Sequence, residues 1–253
     1  MARKKDDACK EAKALIGRLD AWLKKNRPDF YGCLQPGASE KQLDTLEARI
    51  GFDLPAMFRE LYRWRNGQDA GGEPFQNNRH WMDLDDIERT WAELTGMQEG
   101  GEWEEQQWWG VGWVPFLHNG AGDHICVDLQ GSFTGDVGQV IEFWHDDDTR
   151  HILAPSLTAW LENFLDGLEA GCWKLDKDGN FAEADDAPAL PIITGSAKTP
   201  PLESMKKPKP RKKPEFRHHA DAEAIANSPE SANLEVLDLD WKEIGPPGAE
   251  ALA

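Results

Sequence analysis

The chain has 253 residues, of which 40% are hydrophobic and 29% are charged, and its net charge at pH 7 is −18. This length allows one sizeable domain with appendages or two small domains, and the twelve tryptophans indicate a packed core. Residues 1–195 hold 19 Lys and Arg against 36 Asp and Glu, a net charge of −17, which argues against direct nucleic-acid binding. The acidity favours either simple solubility or a basic protein partner.

The sequence also bears on the cellular compartment. The charged N-terminus lacks the apolar run of an export signal, and no later segment has the ~18 consecutive apolar residues of a membrane span. The four cysteines lie far apart and include no CxxC pair, which is typical of reduced thiols. We therefore expect a cytoplasmic protein that does not bind membranes.

Two amphipathic helices are predicted first. Apolar residues between Leu15 and Leu23 recur at helical spacing, and this helix should end before Pro28. The second helix begins with a capping box formed by Ser39 and Gln42, and Gly51 supplies a left-handed stop.

Two further helices follow. Pro55 occupies a plausible first helical position, and Asn66-Gly67 predicts a turn that ends this helix. The stretch HWMDLDDIERTWAEL starts like a short strand and then enters a helix, for which Asp85 with Glu88 predicts the cap.

Strand patterns dominate beyond Gly110. The runs VGWVPFL, HICVDL and QVIEFWH are β-prone and are separated by the turn compositions NGAG and SFTGDVG, which predicts an antiparallel meander. A final helix should begin after Ser156 and end at Gly171, and a small hairpin should turn at Asp178-Gly179. We therefore expect an α+β fold, with a mostly antiparallel sheet flanked by N-terminal helices and a C-terminal helix.

The C-terminal region has a different composition. Residues 196–232 are rich in proline and lysine, with six basic residues within 206–213, and predict a disordered linker after a domain at 10–195. Residues 233–253 resemble a single leucine-rich repeat, although Lys242 stands where such repeats usually carry Asn or Cys. One repeat cannot bury its own apolar face.

The stretch NGAGDHICVDLQG at 119–131 could be a phosphate cradle, part of a metal site or a tight turn. A phosphate cradle joins a strand to a helix, whereas NGAGD lies between two strand patterns, so we expect a hairpin with Gly120 or Gly122 at positive φ. Six side chains could form a metal site if the strands pair: His118, Asp123, His124, Asp128, His145 and Asp146. Alternation instead predicts that β-strand 124–129 is half-exposed, with His124, Cys126 and Asp128 sharing one face.

The spacing of the histidines, acids and cysteines matches no compact metal motif, and no GxSxG elbow or catalytic cysteine context is present. We therefore expect no metal ion, no cofactor and no enzymatic activity.

The run EGGEWEEQQWWGVGW at 99–113 holds four tryptophans and four glutamates. Either every tryptophan is buried, or some form an exposed acidic and aromatic patch suited to a partner with basic residues. The predicted partner-binding residues are Glu102, Trp103, Glu104, Glu105, Trp108, Asp146, Asp147 and Asp148.

Several stretches together resemble the SUKH superfamily of Smi/Knr-type domains. They are GFDLP at 51–55, LYRWRNGQ at 61–68, Trp113 to Phe116 with Gly122-Asp123 and Val127-Asp128, VIEFWHDD at 140–147, and the closing APSLTAWLENFLDGLEAG. The resemblance covers residues 12–182 and implies an α+β fold whose shared residues, such as Pro55 and Asp128, are structural.

The same resemblance implies two alternative functions. Bacterial members are immunity proteins that bind and neutralise a cognate toxin, often a nuclease, which predicts a toxin with a basic surface as the partner. Fungal members are cell-wall-assembly regulators, which implies instead a constitutive regulatory or scaffold module whose tail recruits further partners. We expect the immunity function first and the regulatory function as its alternative.

Overall fold

The structure, a computed structural model, describes residues 2–105, 107–134, 136–175, 181–183, 193–196 and 198. The helices are α1 Ala2–Asn26, α2 Pro28–Gly32, α3 Glu40–Ile50, α4 Ala56–Trp64, α5 Leu84–Gly100 and α6 Leu157–Glu169. The strands are β1 Leu34–Pro36, β2 Arg65–Gln68, β3 His80–Trp81, β4 Trp113–His118, β5 His124–Asp128, β6 Gln139–Phe143, β7 Thr149–Ala154, β8 Trp173–Leu175, β9 Phe181–Glu183 and β10 Ile193–Ser196.

Among the described residues, six strands form the central sheet in the order β10-β7-β6-β5-β4-β3, and every neighbouring pair is antiparallel. Two small antiparallel pairs, β1-β2 and β8-β9, lie outside it. The α+β fold with an antiparallel sheet flanked by helices is therefore confirmed, and so is the meander of β4, β5 and β6.

Helices cover one face of this sheet. The aromatic rings of Trp160 on α6 and Phe116 on β4 meet edge to face at 5.3 Å, and Leu161 is fully buried beside them. Helix α1 packs against α4 and α6 and so closes this core from outside. The apolar stripe of α6 predicted from the sequence is what brings this helix onto the sheet.

The opposite face carries a second core, and it corrects the prediction of a half-exposed strand. All five residues of β5 are buried, including His124, Cys126 and Asp128 on the face expected to meet solvent. The cover consists of aromatic residues from the loop 101–112, of Trp91 and Leu94 on α5, and of Phe133. Strand alternation was correct, but a loop without regular structure buries the polar-looking face.

Helix caps follow the sequence closely, with one shift. Ser39 and Gln42 form the predicted capping box of α3, and Gly51 ends that helix at a φ of 81°. The cap of α5 is Asp83, whose side chain accepts a hydrogen bond from the amide of Asp86, and not Asp85 as predicted. When Asp83 is the cap, Leu84 and Ile87 lie in the core. Burial of these two side chains therefore fixes the residue at which α5 begins.

The predicted turn at Asn66-Gly67 is wrong. Helix α4 passes directly into β2, which contains both residues and pairs with β1. Gly67 has a φ of 77°, and a Cβ atom there would lie 2.6–2.7 Å from backbone atoms of Met82 and Asp83. Glycine at this position therefore allows two backbone segments to pass close to each other. In the sequence, the same Asn-Gly pair is indistinguishable from one that forms a turn.

Strand β7 was not predicted, although it joins the meander to β10 at the edge of the sheet. The β8-β9 pairing agrees with the predicted hairpin, while its Asp178-Gly179 turn lies outside the described residues. Of the predicted disordered linker 196–232 only Ser196 and Lys198 are described, and the repeat-like segment 233–253 lies outside the described residues. Among the described helices, none combines the length and apolar character that crossing a bilayer requires.

Candidate partner-binding surface

The stretch NGAG is a hairpin turn between β4 and β5, as predicted. Both glycines adopt positive φ, 76° at Gly120 and 98° at Gly122. The Asn119 side-chain oxygen accepts hydrogen bonds from the amides of Ala121 and Asp123 at 2.8 and 3.1 Å, which closes the turn. Backbone geometry, and not anion binding, therefore accounts for these glycines.

Of the six candidate metal ligands, the structure brings Asp123, His145 and Asp146 together, with ligand atoms within 4.8 Å of one another. The Asp123 carboxylate already accepts hydrogen bonds from the backbone amide of His145 and from the His145 Nδ1 at 2.8 Å. It also accepts one from the side-chain amide of Asn119. Burial favours a higher pKa for Asp123, but these bonds outweigh it and hold the pKa below its usual value. The carboxylate therefore ties the β4-β5 turn to the end of β6.

The carboxylate of Asp128 is also engaged in hydrogen bonds within the protein. Its buried carboxylate accepts hydrogen bonds from the amides of Gln130, Gly131 and Ser132 and from the Gln139 side chain, at 2.5–3.1 Å. These contacts hold the loop after β5 in place. The structure thus supports the structural role that the family resemblance implied for Asp128.

The tryptophan-rich run divides between core and surface. Trp109 and Trp113 are buried, with 2% and 0% of their surface exposed. Trp103 and Trp108 are half-buried, and their ring centroids lie 6.4 Å apart. The run therefore holds both core tryptophans and partly exposed ones, and the partner-binding role of Trp103 and Trp108 stays a prediction.

Helix α5 positions this run. The side chain of Gln98 accepts a hydrogen bond from the Trp109 amide at 2.9 Å, and Thr95 accepts one from the Trp109 indole at 3.1 Å. The Trp91 indole donates to the carbonyl of Val111 at 2.9 Å. Because Gly101 ends the helix in a left-handed conformation, the chain turns back along α5 and over the sheet.

Arg150 joins the two predicted partner-binding runs, which lie about forty positions apart in the sequence. Its fully buried guanidinium donates to the carbonyl of Trp108 at 2.9 Å, to that of Thr149 at 2.8 Å and to that of Asp147. It also lies over the aromatic rings of Trp108 and Phe143. Burial lowers the pKa of Arg150 to about 10, so the side chain remains a cation at neutral pH.

We call these contacts of Arg150 with the carbonyls of Trp108, Asp147 and Thr149 the Arg150 clasp. The acidic residues lie around it. Lys198 pairs with Asp148 at 3.0 Å, and Asp148, followed by Glu105 and Asp147, raises the pKa of the Lys198 ammonium. Glu102, Glu104, Asp146 and Asp147 are exposed, whereas Glu105 and Asp148 are half-buried. We call the eight residues predicted from the sequence the acidic-aromatic surface. They are Glu102, Trp103, Glu104, Glu105, Trp108, Asp146, Asp147 and Asp148.

A cleft of about 480 Å³ lies beside this surface, between α5 and the β4-β5 turn. Apolar side chains form much of its wall: Met82, Leu94, Met97, Trp103 and Phe143. His118, His124 and His145 also line it, as do Asp86, Arg89 and Glu93. The α5 side of the cleft is not predicted from the sequence, because the pattern of this helix indicates only that it packs on a core.

Burial keeps two of these histidines uncharged at neutral pH. It lowers the pKa of His124 to about 4, with further lowering by His118 and Arg79, and it lowers the pKa of His118. Nδ1 of His118 accepts a hydrogen bond from the Gly120 amide at 3.0 Å, which suits a neutral ring. His145 differs, because its bond to Asp123 raises its pKa.

Comparison with known proteins places this architecture in a family. Residues 37–163, half of the chain, match the model of the SMI1 / KNR4 family (SUKH-1). The chain belongs to this family. The SUKH resemblance drawn from the sequence is therefore confirmed, while the leucine-rich-repeat resemblance of the tail stays a prediction.

Three relatives illustrate the match. The chain is 29% identical to the cell wall biosynthesis/cell cycle regulator smi1 of Schizosaccharomyces pombe over 64% of its length. It is 23% identical to the glucan synthesis regulatory protein of Neurospora crassa over 64%, and 37% identical to a KNR4/SMI1 homolog of Kluyveromyces lactis over 69%. The chain spans only 37–47% of the length of these three relatives.

These relatives correct the first functional expectation. They are fungal proteins, and those with a descriptive name are called regulators of cell wall biosynthesis or glucan synthesis. The expectation of a bacterial immunity protein that neutralises a cognate toxin is therefore wrong. The residues that carry the SUKH resemblance indicate the family and its fold, but they do not indicate the partner.

Proposed function

We propose that this protein is a non-catalytic regulatory interaction module that binds a basic segment of a protein partner through the acidic-aromatic surface. The observation that carries the proposal is the Arg150 clasp, which holds two separate acidic runs beside the half-buried Trp103 and Trp108. Aromatic side chains surrounded by complementary charge are typical of interaction surfaces. The regulatory names of the relatives support the same class of function.

The charge distribution supports a basic partner over nucleic acid. The net charge of −17 within residues 1–195 attracts cationic segments and repels phosphate backbones. The free thiols of Cys9, Cys33, Cys126 and Cys172 support action in the reducing cytoplasm. In this proposal residues 10–195 form the binding domain, and 196–232 connect it to 233–253, which recruit further partners.

The test compares two double charge reversals in the full chain. Glu104→Lys with Asp146→Lys alters the acidic-aromatic surface, whereas Glu11→Lys with Glu162→Lys alters exposed residues of α1 and α6 by the same total charge. Each protein is used for affinity purification from a fungal extract at low and high salt. We expect a salt-sensitive partner that is retained by the wild type and by the helix variant and lost by the surface variant.

Retention of every partner by the surface variant would count against the proposal. Equal loss in both variants would also do so, because it would indicate a response to net charge alone. Circular dichroism and thermal unfolding establish that each variant is folded. Turnover of a substrate by the purified chain would contradict the non-catalytic part.

A further inference from the structure

We propose that the cleft between α5 and the β4-β5 turn is an anchor pocket, which takes one aromatic or large aliphatic side chain from the same basic partner segment. This inference rests on the proposed function and adds a second recognition element to it. The cleft has a volume of about 480 Å³, which lies within the range of ligand pockets. It accommodates one large side chain with room for the neighbouring residues of the segment.

The wall of the cleft suits an apolar occupant. Leu94 and Met97 contribute half-buried side chains from one side, while Trp103 contributes a half-buried indole. Phe143 and Met82 are almost fully buried behind them. Methionine side chains adapt their shape at low cost, and apolar pockets of this kind hold the residues that dominate interface affinity.

Two of the polar groups that line the cleft, His118 and His124, carry no charge that an apolar guest would have to desolvate. His124 is 7% exposed, and its ring stacks on Phe143 at a centroid distance of 6.1 Å. The ring of His118 is held by the Gly120 amide at 3.0 Å. Both rings are neutral at pH 7, so an entering aromatic group displaces water without burying an ion.

The rim is charged and continuous with the acidic-aromatic surface. Trp103 belongs to both, and His145 in the cleft directly precedes Asp146 on the surface. At the outer rim Glu93 is exposed, while Asp86 pairs with Arg89. The His145 imidazole is likewise bonded to Asp123. A segment that lies across the acidic residues therefore meets no unpaired cation among the described residues that line the cleft.

These charges select the occupant. An apolar anchor flanked by lysine or arginine satisfies both the apolar wall and the acidic surroundings. A purely basic segment would leave the apolar wall in water, and a purely apolar one would leave the acidic residues unused. Hot-spot side chains in protein interfaces are most often aromatic, which makes tryptophan the natural probe.

The experiment uses two synthetic peptides, acetyl-Lys-Lys-Trp-Lys-Lys-amide and acetyl-Lys-Lys-Ser-Lys-Lys-amide, titrated calorimetrically into the full chain. We expect the tryptophan peptide to bind about tenfold more tightly, since burial of its indole adds to the shared electrostatic attraction. Met97→Trp fills the cleft and should remove this preference, whereas Met97→Leu should keep it. Thr90→Phe serves as a second filling variant, because Thr90 lines the same cleft from α5.

The outcomes separate the two proposals. If both peptides bind the wild type equally, but more tightly than they bind the Glu104→Lys, Asp146→Lys variant, the anchor pocket is overturned and the proposed function stands. The same holds if the preference for tryptophan survives in both filling variants. If neither peptide distinguishes the wild type from the charge-reversed variant, the proposed function fails together with the pocket.

Discussion

The two faces of the central sheet are covered by different kinds of structure. On the helix face, α1, α4 and α6 supply a core of apolar side chains, and helices satisfy their own backbone groups. On the other face, the loop 101–112 covers Trp113, Cys126 and Phe143, and buried polar side chains accompany it. A loop can cover a sheet only if side chains bond its carbonyls and amides, and Arg150, Gln98 and Trp91 do so here.

The largest effect is expected on the helix face. Leu161→Ala removes a fully buried side chain of α6 and should cost about 3–4 kcal/mol of unfolding free energy, since α6 cannot collapse into the cavity without leaving the sheet. Urea denaturation measures this cost. Leu175→Ala is the control, because Leu175 is half exposed and its truncation should change stability by less than about 0.5 kcal/mol. A loss of less than about 1 kcal/mol for Leu161→Ala would show that this face is not the main source of stability.

An intermediate effect is expected at the clasp of the loop face. Arg150→Met leaves three carbonyls without their donor and should cost about 2–3 kcal/mol, with hydrogen-exchange protection lost in the loop 107–112 and the turn 146–149 first. Arg150→Lys keeps the charge but not the planar fork, so it should lose most of the same protection. If protection falls equally across both faces, the clasp does not act locally and the contrast between the faces is weaker than we infer.

The smallest effect is a pH dependence of the unfolding free energy, and it arises on the loop face of the sheet. The pKa of His124 is about 4 in the folded chain against an ordinary value of 6.5, so below pH 6.5 the unfolded chain takes up a proton that the folded chain does not. Stability from this group is complete above pH 6.5 and is lost as the pH falls towards 4. At pH 5 the loss should be about 1–2 kcal/mol relative to pH 8.

His124→Phe keeps a ring beside Phe143 and should remove this part of the acid sensitivity, as measured by urea denaturation at both pH values. His145 does not produce the same trend. Its raised pKa gives stability that is present below pH 6.5 and disappears as the pH rises through its folded value. Unchanged acid sensitivity in His124→Phe would assign the effect to other groups.

Much of the helix face could be predicted from the sequence. Local signals such as the Ser39 capping box, the Ser156 cap and the apolar stripe of α6 act within a few residues, and the structure realises all three. The hairpin at Gly120 and Gly122 was equally local.

The errors share a physical cause, which is dependence on distant partners. Gly67 is set by the approach of the Met82 backbone, and strand β7 was hidden because a charged Arg150 occupies one of its buried positions. The exposure of β5 was misjudged because an irregular loop covers it. For the same reason the eight surface residues could be proposed as two runs, but neither their common clasp nor the α5 side of the cleft was visible in the sequence.

The order of the strands also has a consequence for behaviour at high concentration. Within the part of the chain that the structure describes, the sheet ends on one side at β3, which contributes only His80 and Trp81. Such a short edge offers a second molecule little free backbone with which to extend the ladder, a recognised protection against runaway strand addition. At high concentration, copies of this protein should therefore have little tendency to aggregate by strand pairing at the β3 edge.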